Sequence, residues 1–118
     1  MAAFREAERR YGLPPNILVR MAQQESNFDP NAVSPAGAVG LMQIVPKWHP
    51  TVDPRDPFAS IDYAGRYLRQ LYDRFGNWPE ALAAYNWGPT VLERKGLDQA
   101  PRETRRYVAA IAGDLGLA

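Results

Sequence analysis

Between Ser26 and Pro57 the chain carries Pro30, Pro35, Gly37, Gly40, Pro46, Pro50, Pro54 and Pro57, and no apolar period survives across them. Proline removes a backbone donor and glycine relaxes backbone preference, so breakers at this density forbid a long helix or a central strand. The chain must divide into helical segments before and after a long ordered loop, with one helical turn around Leu41 to Ile44 as its only regular piece. Loops of that length inside a compact domain are usually functional.

On either side, helical spacing is plain. Ala2 to Tyr11 reads as an amphipathic helix with Phe4, Ala7 and Tyr11 on one side, closed by Gly12; Pro14-Pro15-Asn16 opens the next, which runs to about Glu25. Beyond the loop, Ser60 is the expected N-cap of a helix over Ile61 to Phe75, in which Ala64, Tyr67, Leu68, Leu71, Tyr72 and Phe75 share a face. Asp62 with Arg66, and Arg69 with Asp73, are expected charge pairs on its wet side. Gly76-Asn77 ends it, and Pro79 suits the first turn of a helix reaching about Trp87, stopped by Gly88-Pro89. Helices from about Thr90 to Lys95 and from about Glu103 to Leu115 complete the chain. No strand pattern or repeat interrupts this, so the expected class is all-α. The 118 residues, uniform in composition, predict one domain over 1–118 with a single core.

Within the second helix, Leu18, Met21, Ala22 and Glu25 fall at i, i+3, i+4 and i+7, the spacing of a core-facing stripe. A carboxylate there must meet a cation, reach water where the helix ends, or sit in a cleft that favours its protonated form. The third case makes a general acid. Taken alone, a glutamate just before a helix break belongs to the second case. Asp29, Asp53, Asp56 and Asp62 sit at turns or a helix start and read as local structure. Gln43 and Asn86, primary amides beside apolar residues, need hydrogen-bond partners, and sugar hydroxyl and acetamido groups would supply them. From composition alone Met42 reads as core filling, and Ser26 reads as a cap on the fraying helix end.

Several function classes fall away. A net charge of +1 with both signs interspersed provides no polybasic nucleic-acid surface, and Arg102, Arg105 and Arg106 read as a solvated helix face. The absence of cysteine removes thiol chemistry, and a single histidine, His49, argues against a histidine-rich metal site or a Ser-His-Asp triad. No apolar run approaches membrane-spanning length, and the charged start, Met1 to Arg10, lacks the apolar centre of a secretory signal.

Taken together, Glu25-Ser26, Gly40-Leu41-Met42-Gln43, Ala84-Tyr85-Asn86 and Glu103-Thr104-Arg105-Arg106-Tyr107-Val108 resemble the motifs of the soluble lytic transglycosylase family, lysozyme-like enzymes that cleave bacterial peptidoglycan. The resemblance spans roughly residues 12 to 110. It implies a lysozyme-like fold with helices around a glycan groove, Glu25 as sole acid and base, and no metal or organic cofactor. Met42 and Gln43 would line the groove, Ser26 would follow the catalytic glutamate, Tyr85 and Asn86 would contact the sugar or orient Glu25, and Tyr107 would lie near the carboxylate. The partner implied is the peptidoglycan strand, acted on by a monomer at the cell wall, in a periplasmic, extracellular or phage-borne setting. The same resemblance leaves two rivals: a muramidase of this fold using water positioned by Asp29, and a non-catalytic glycan-binding module.

Where the family commonly continues with a Thr-Ala pair, this chain has Lys47-Trp48-His49-Pro50, so the groove wall there is expected to differ. Trp48, Trp78 and Trp87 are candidate stacking surfaces for a pyranose. Trp87, next to Asn86, is the best of them. Tryptophans are usually core anchors, which sets Trp48 and Trp78 outside the expected site.

Overall fold

A computed structural model describes residues 1–117 and contains, among them, six α-helices: α1 (Ala2–Arg10), α2 (Ile17–Ser26), α3 (Pro57–Phe75), α4 (Trp78–Trp87), α5 (Pro89–Lys95) and α6 (Arg102–Leu115), with one 3-10 turn at Leu97–Gln99. The all-α expectation holds. The chain forms two compact units, Met1–Arg66 and a second beginning at Tyr67, the boundary falling inside α3.

In the first unit, α1 buries Phe4 and Ala7, and α2 buries Ile17, Leu18, Met21 and Ala22. Their joint is made by an acid. Glu8, only 4% exposed, accepts the backbone N–H of Asn16 at 3.0 Å and of Leu18 at 2.9 Å. Those amides are unsatisfied donors at the first turn of α2, so a carboxylate from another helix does what an N-cap side chain would do, at the positive end of the helix dipole. Asn16 holds the N-cap position in a left-handed conformation without capping through its own side chain. Glu8→Ala would leave both amides without an acceptor and is expected to cost about 2–3 kcal/mol, read as a lower urea midpoint.

The loop is tied by two antiparallel bridges, Val33 to Val39 and Val39 to Ile44. Val39 and Ile44 exchange both backbone hydrogen bonds, at 2.9 and 3.1 Å. Residues 41–43 are therefore a tight turn, which corrects the expected helical turn. Further on, the α3 start is also corrected: Asp56 accepts from the N–H groups of Phe58 and Ala59 at 3.0 and 3.1 Å, so the helix begins at Pro57. Ser60 is instead fully buried in its first turn and donates to the Pro57 carbonyl at 3.1 Å. Asp62 faces α1, where it pairs with Arg10 and accepts from the Tyr11 hydroxyl at 2.9 Å, while Arg66 lies over the Tyr63 ring. The expected Arg69–Asp73 pair forms at 3.1 Å.

His49 hydrogen-bonds through Nδ1 to the Tyr63 hydroxyl at 2.7 Å, and desolvation holds its pKa below the ordinary 6.5. The unfolded chain then binds a proton that the folded chain resists, so stability present above pH 6.5 declines as pH falls below it. His49→Asn, which keeps an acceptor for Tyr63, is expected to flatten the fall in melting temperature between about pH 7.5 and about pH 5.

In the second unit, α4 buries Ala81, Leu82, Ala83 and Ala84 in succession and packs against α5 and α6, as a helix apolar all round must. Asn77 caps it: Oδ1 accepts the Glu80 N–H at 2.9 Å while Nδ2 donates to the Glu80 carboxylate at 2.8 Å. Trp78 stacks on Tyr72 with centroids 4.0 Å apart, so its ring serves the joint between α3 and α4.

Candidate active site

Glu25 is half-buried and is the next-to-last residue of α2. Its helix ends abruptly because Asn27 and Phe28 are both left-handed, with φ of 51° and 63°. Asparagine tolerates that conformation through its short polar side chain. Phe28 is held in it while its ring meets Phe4 edge-on at 6.5 Å. The chain thus turns away directly behind the carboxylate.

Ser26 fixes this helix end to the loop. Its hydroxyl lies 2.7 Å from the Leu41 carbonyl and 3.1 Å from that of Ala22. A hydroxyl has one proton to donate, and the shorter contact gives it to Leu41. Leu41 belongs to the turn Gly40-Leu41-Met42-Gln43, so the residue after Glu25 is bonded to the second motif. That turn is braced from inside: Gly40 N–H donates to the Ala32 carbonyl at 2.7 Å, and Gln43 Nε2 donates to the carbonyls of Ala32 and Gly40 at 3.2 and 2.9 Å. Gln43 itself is left-handed, with φ of 52°. Its amide nitrogen is spent on the loop.

Met42 has 0% of its surface exposed. The expectation that it lines a groove is corrected to a core role, since a side chain with no surface offers a ligand nothing. Asp29, Asp53 and Asp56 serve local turns and a cap as their sequence positions suggested, whereas Asp62 lies inside α3 and pairs across to Arg10. Asp29 accepts the Asn31 N–H at 2.9 Å, Asp53 that of Arg55 at 3.0 Å, and Asp56 caps α3.

The second unit gathers the remaining expected residues. Tyr85 and Asn86 occupy the end of α4, and Tyr107 is buried on α6. Tyr85 packs at a tilt against Tyr67, centroids 5.8 Å apart. Asn86 Oδ1 accepts from the Thr104 hydroxyl at 2.9 Å. This orients the amide plane and leaves its nitrogen able to donate to a ligand acceptor. Thr104 was not singled out from sequence as a site residue, yet a signal existed: Thr104, Tyr107, Val108 and Ile111 form one helical stripe, and all four are buried. Trp87 is half-buried, and Trp48 is 69% exposed, against its expected core position.

Among the described residues no group of three or more His, Cys, Asp or Glu could hold a metal ion, and no helix is long and apolar enough to cross a membrane.

Residues 2–108 match the family model described as the transglycosylase SLT domain. The chain is 36% identical over 110 residues to membrane-bound lytic murein transglycosylase C of Haemophilus influenzae, covering 92% of this chain and 29% of that protein. The fold is similar to that of the 70 kDa soluble lytic transglycosylase of Escherichia coli, with a TM-score of 0.75 and 31% identity over 93% of this chain and 22% of that one. It also resembles the lytic transglycosylase Slt of Pseudomonas aeruginosa, solved as an inactive glutamate-to-glutamine mutant, with a TM-score of 0.79 and 25% identity over 98% of this chain and 24% of that one. The chain therefore spans less than a third of the length of these relatives.

Proposed function

This chain belongs to the transglycosylase SLT domain family, and from that premise we propose that residues 1–118 act as one catalytic domain cleaving the glycan strand of peptidoglycan without water. The observation that carries this reading is the placement of Glu25: on the apolar stripe of α2, in its last turn, with its neighbour Ser26 bonded to the Gly40–Gln43 turn. The carbonyl end of a helix disfavours added negative charge, and partial burial works in the same direction, so the site suits a neutral carboxylic acid.

The reaction then runs in two half-steps. Glu25 gives its proton to the oxygen linking N-acetylmuramic acid to N-acetylglucosamine as the bond from that oxygen to the muramoyl C1 breaks. The substrate's own acetamido oxygen supports the positive charge at C1, which removes the need for a second carboxylate. The Glu25 carboxylate next takes the proton of the muramoyl C6 hydroxyl, and that oxygen bonds to C1. A 1,6-anhydro end forms, and Glu25 regains the proton it gave.

Asn86, oriented by Thr104, is suited to donate to an acceptor on the sugar and Tyr85 to contact the ring, while Tyr107, buried on α6, supports the site from the core. Ser26 and Gln43 hold the loop, and Met42 supports it from the core. Asp29, engaged with its own turn, is poorly placed to serve as a second catalytic carboxylate. The reaction needs neither metal nor organic cofactor, and its place of action is the cell wall.

Clearance of a purified peptidoglycan suspension tests the enzymatic reading. Turbidity is expected to fall with release of soluble muropeptides. Binding to the suspension without clearance at any enzyme concentration would make this a glycan-binding module instead.

A further inference from the structure

We propose that Trp48, with Lys47 beside it, is a docking platform for the peptidoglycan strand outside the bond-breaking residues, with one sugar ring stacked on the indole. The inference rests on the function proposed above and names a contact for the same substrate.

Trp48 leaves 69% of its surface in water. An indole is among the largest apolar groups a chain can bury, so leaving one open forgoes stabilisation that the core would have given. The exposure is also rigidly built. The N–H groups of Trp48 and His49 both donate to the Val45 carbonyl, at 3.0 and 3.1 Å, and Pro46 and Pro50 bracket the turn. His49 is clamped to Tyr63 by the 2.7 Å hydrogen bond and by an edge-to-face ring pair 5.4 Å between centroids. A backbone held in place before binding leaves only the side-chain torsions of Trp48 to be ordered when a ligand arrives.

Charge identifies the occupant further. Lys47 Nζ stands 5.0 Å from the Trp48 ring centroid, a cation over a π face. A pyranose offers a face of C–H bonds to such a ring, and peptidoglycan carries lactyl-linked peptides rich in carboxylates that a lysine attracts. Among the exposed large apolar residues Met1, Phe28, Val33, Trp48 and Phe58, only Trp48 has a cation placed on its ring. It follows the Gly40–Gln43 turn by five residues, in the stretch where this chain departs from the family pattern.

The test is cosedimentation with purified insoluble peptidoglycan, in a Glu25→Gln background so that the matrix persists. Adding Trp48→Ala is expected to raise the half-saturating peptidoglycan concentration roughly tenfold, whereas Trp48→Phe keeps binding within about threefold. Lys47→Gln is expected to weaken binding a few-fold at low salt and not at about 1 M salt, where surface charge is screened. An unchanged melting temperature for Trp48→Ala shows that the fold is intact. If Trp48→Ala binds as its parent does, the platform is refuted while the function proposed above stands. If the parent with intact Trp48 fails to bind peptidoglycan, that function fails and the platform with it.

Discussion

Glu25→Gln is expected to slow peptidoglycan cleavage by about a thousandfold, the range over which a positioned acid and base contributes. An amide has no proton acidic enough for a departing glycosidic oxygen and no basicity with which to take one from the C6 hydroxyl. Both half-steps fail together, so the loss falls on the turnover rate. The half-saturating substrate concentration should move only a few-fold, because glutamine keeps the volume and one acceptor oxygen. Melting temperature should likewise shift by only a few degrees, since the position is half-buried at a helix end. Rates of muropeptide release from a common peptidoglycan preparation measure the effect. Equal release by the two proteins would remove Glu25 from its role.

Gly40→Ala is expected to be severely destabilising. A Cβ on Gly40 would stand 1.9 Å from the Pro54 carbonyl oxygen and 2.9 Å from its carbon, and φ is +83°. Backbone atoms cannot rotate away as a side-chain end can, so the turn itself must open. Left-handed strain adds about 1–2 kcal/mol, and overpacking adds about 1–3 more. A loss of about 2–5 kcal/mol is therefore expected, a large part of the stability of a chain this size. Gly37→Ala is the matched control: its φ is +87°, but nothing lies within 4 Å of the added methyl. Only the strain remains there, about 1 kcal/mol. Urea unfolding of both variants separates crowding from backbone conformation. Activity should follow, because the Gly40 turn supplies the Leu41 carbonyl that holds Ser26 beside Glu25.

Helical periodicity made most of the fold legible, and the misses have physical causes. The α3 start lies earlier than the spacing predicts because Pro57 reads as one more loop breaker, although an aspartate followed by proline is also a cap followed by the first helical residue. The Val33, Val39 and Ile44 bridges involve single residues, too short to leave an alternating pattern. Asp62 was assigned a partner on its own helix because sequence displays only local neighbours; its actual partners, Arg10 and Tyr11, lie about fifty positions away.

Glu8 and Glu25 teach the sharper lesson. Both are carboxylates on an apolar helical stripe, Glu8 with Phe4, Ala7 and Tyr11, Glu25 with Leu18, Met21 and Ala22. One closes the amide end of the next helix and the other stands at the carbonyl end of its own. Stripe position alone does not separate the two, because the difference lies in which helix end the side chain meets. The Gln43 amide nitrogen finds its partners in backbone carbonyls and the Met42 thioether packs in the core, placements that only the folded loop reveals. Trp48 went the other way, since only coordinates reveal that its ring stays outside.

Digestion of peptidoglycan in water enriched with heavy oxygen, followed by mass analysis of the released fragments, tests the chemistry most directly. Attack by the C6 hydroxyl predicts muramoyl ends one water lighter than reducing ends and free of the heavy isotope. Reducing ends carrying one heavy oxygen each would show that water attacked C1, and would contradict the two half-steps assigned to Glu25.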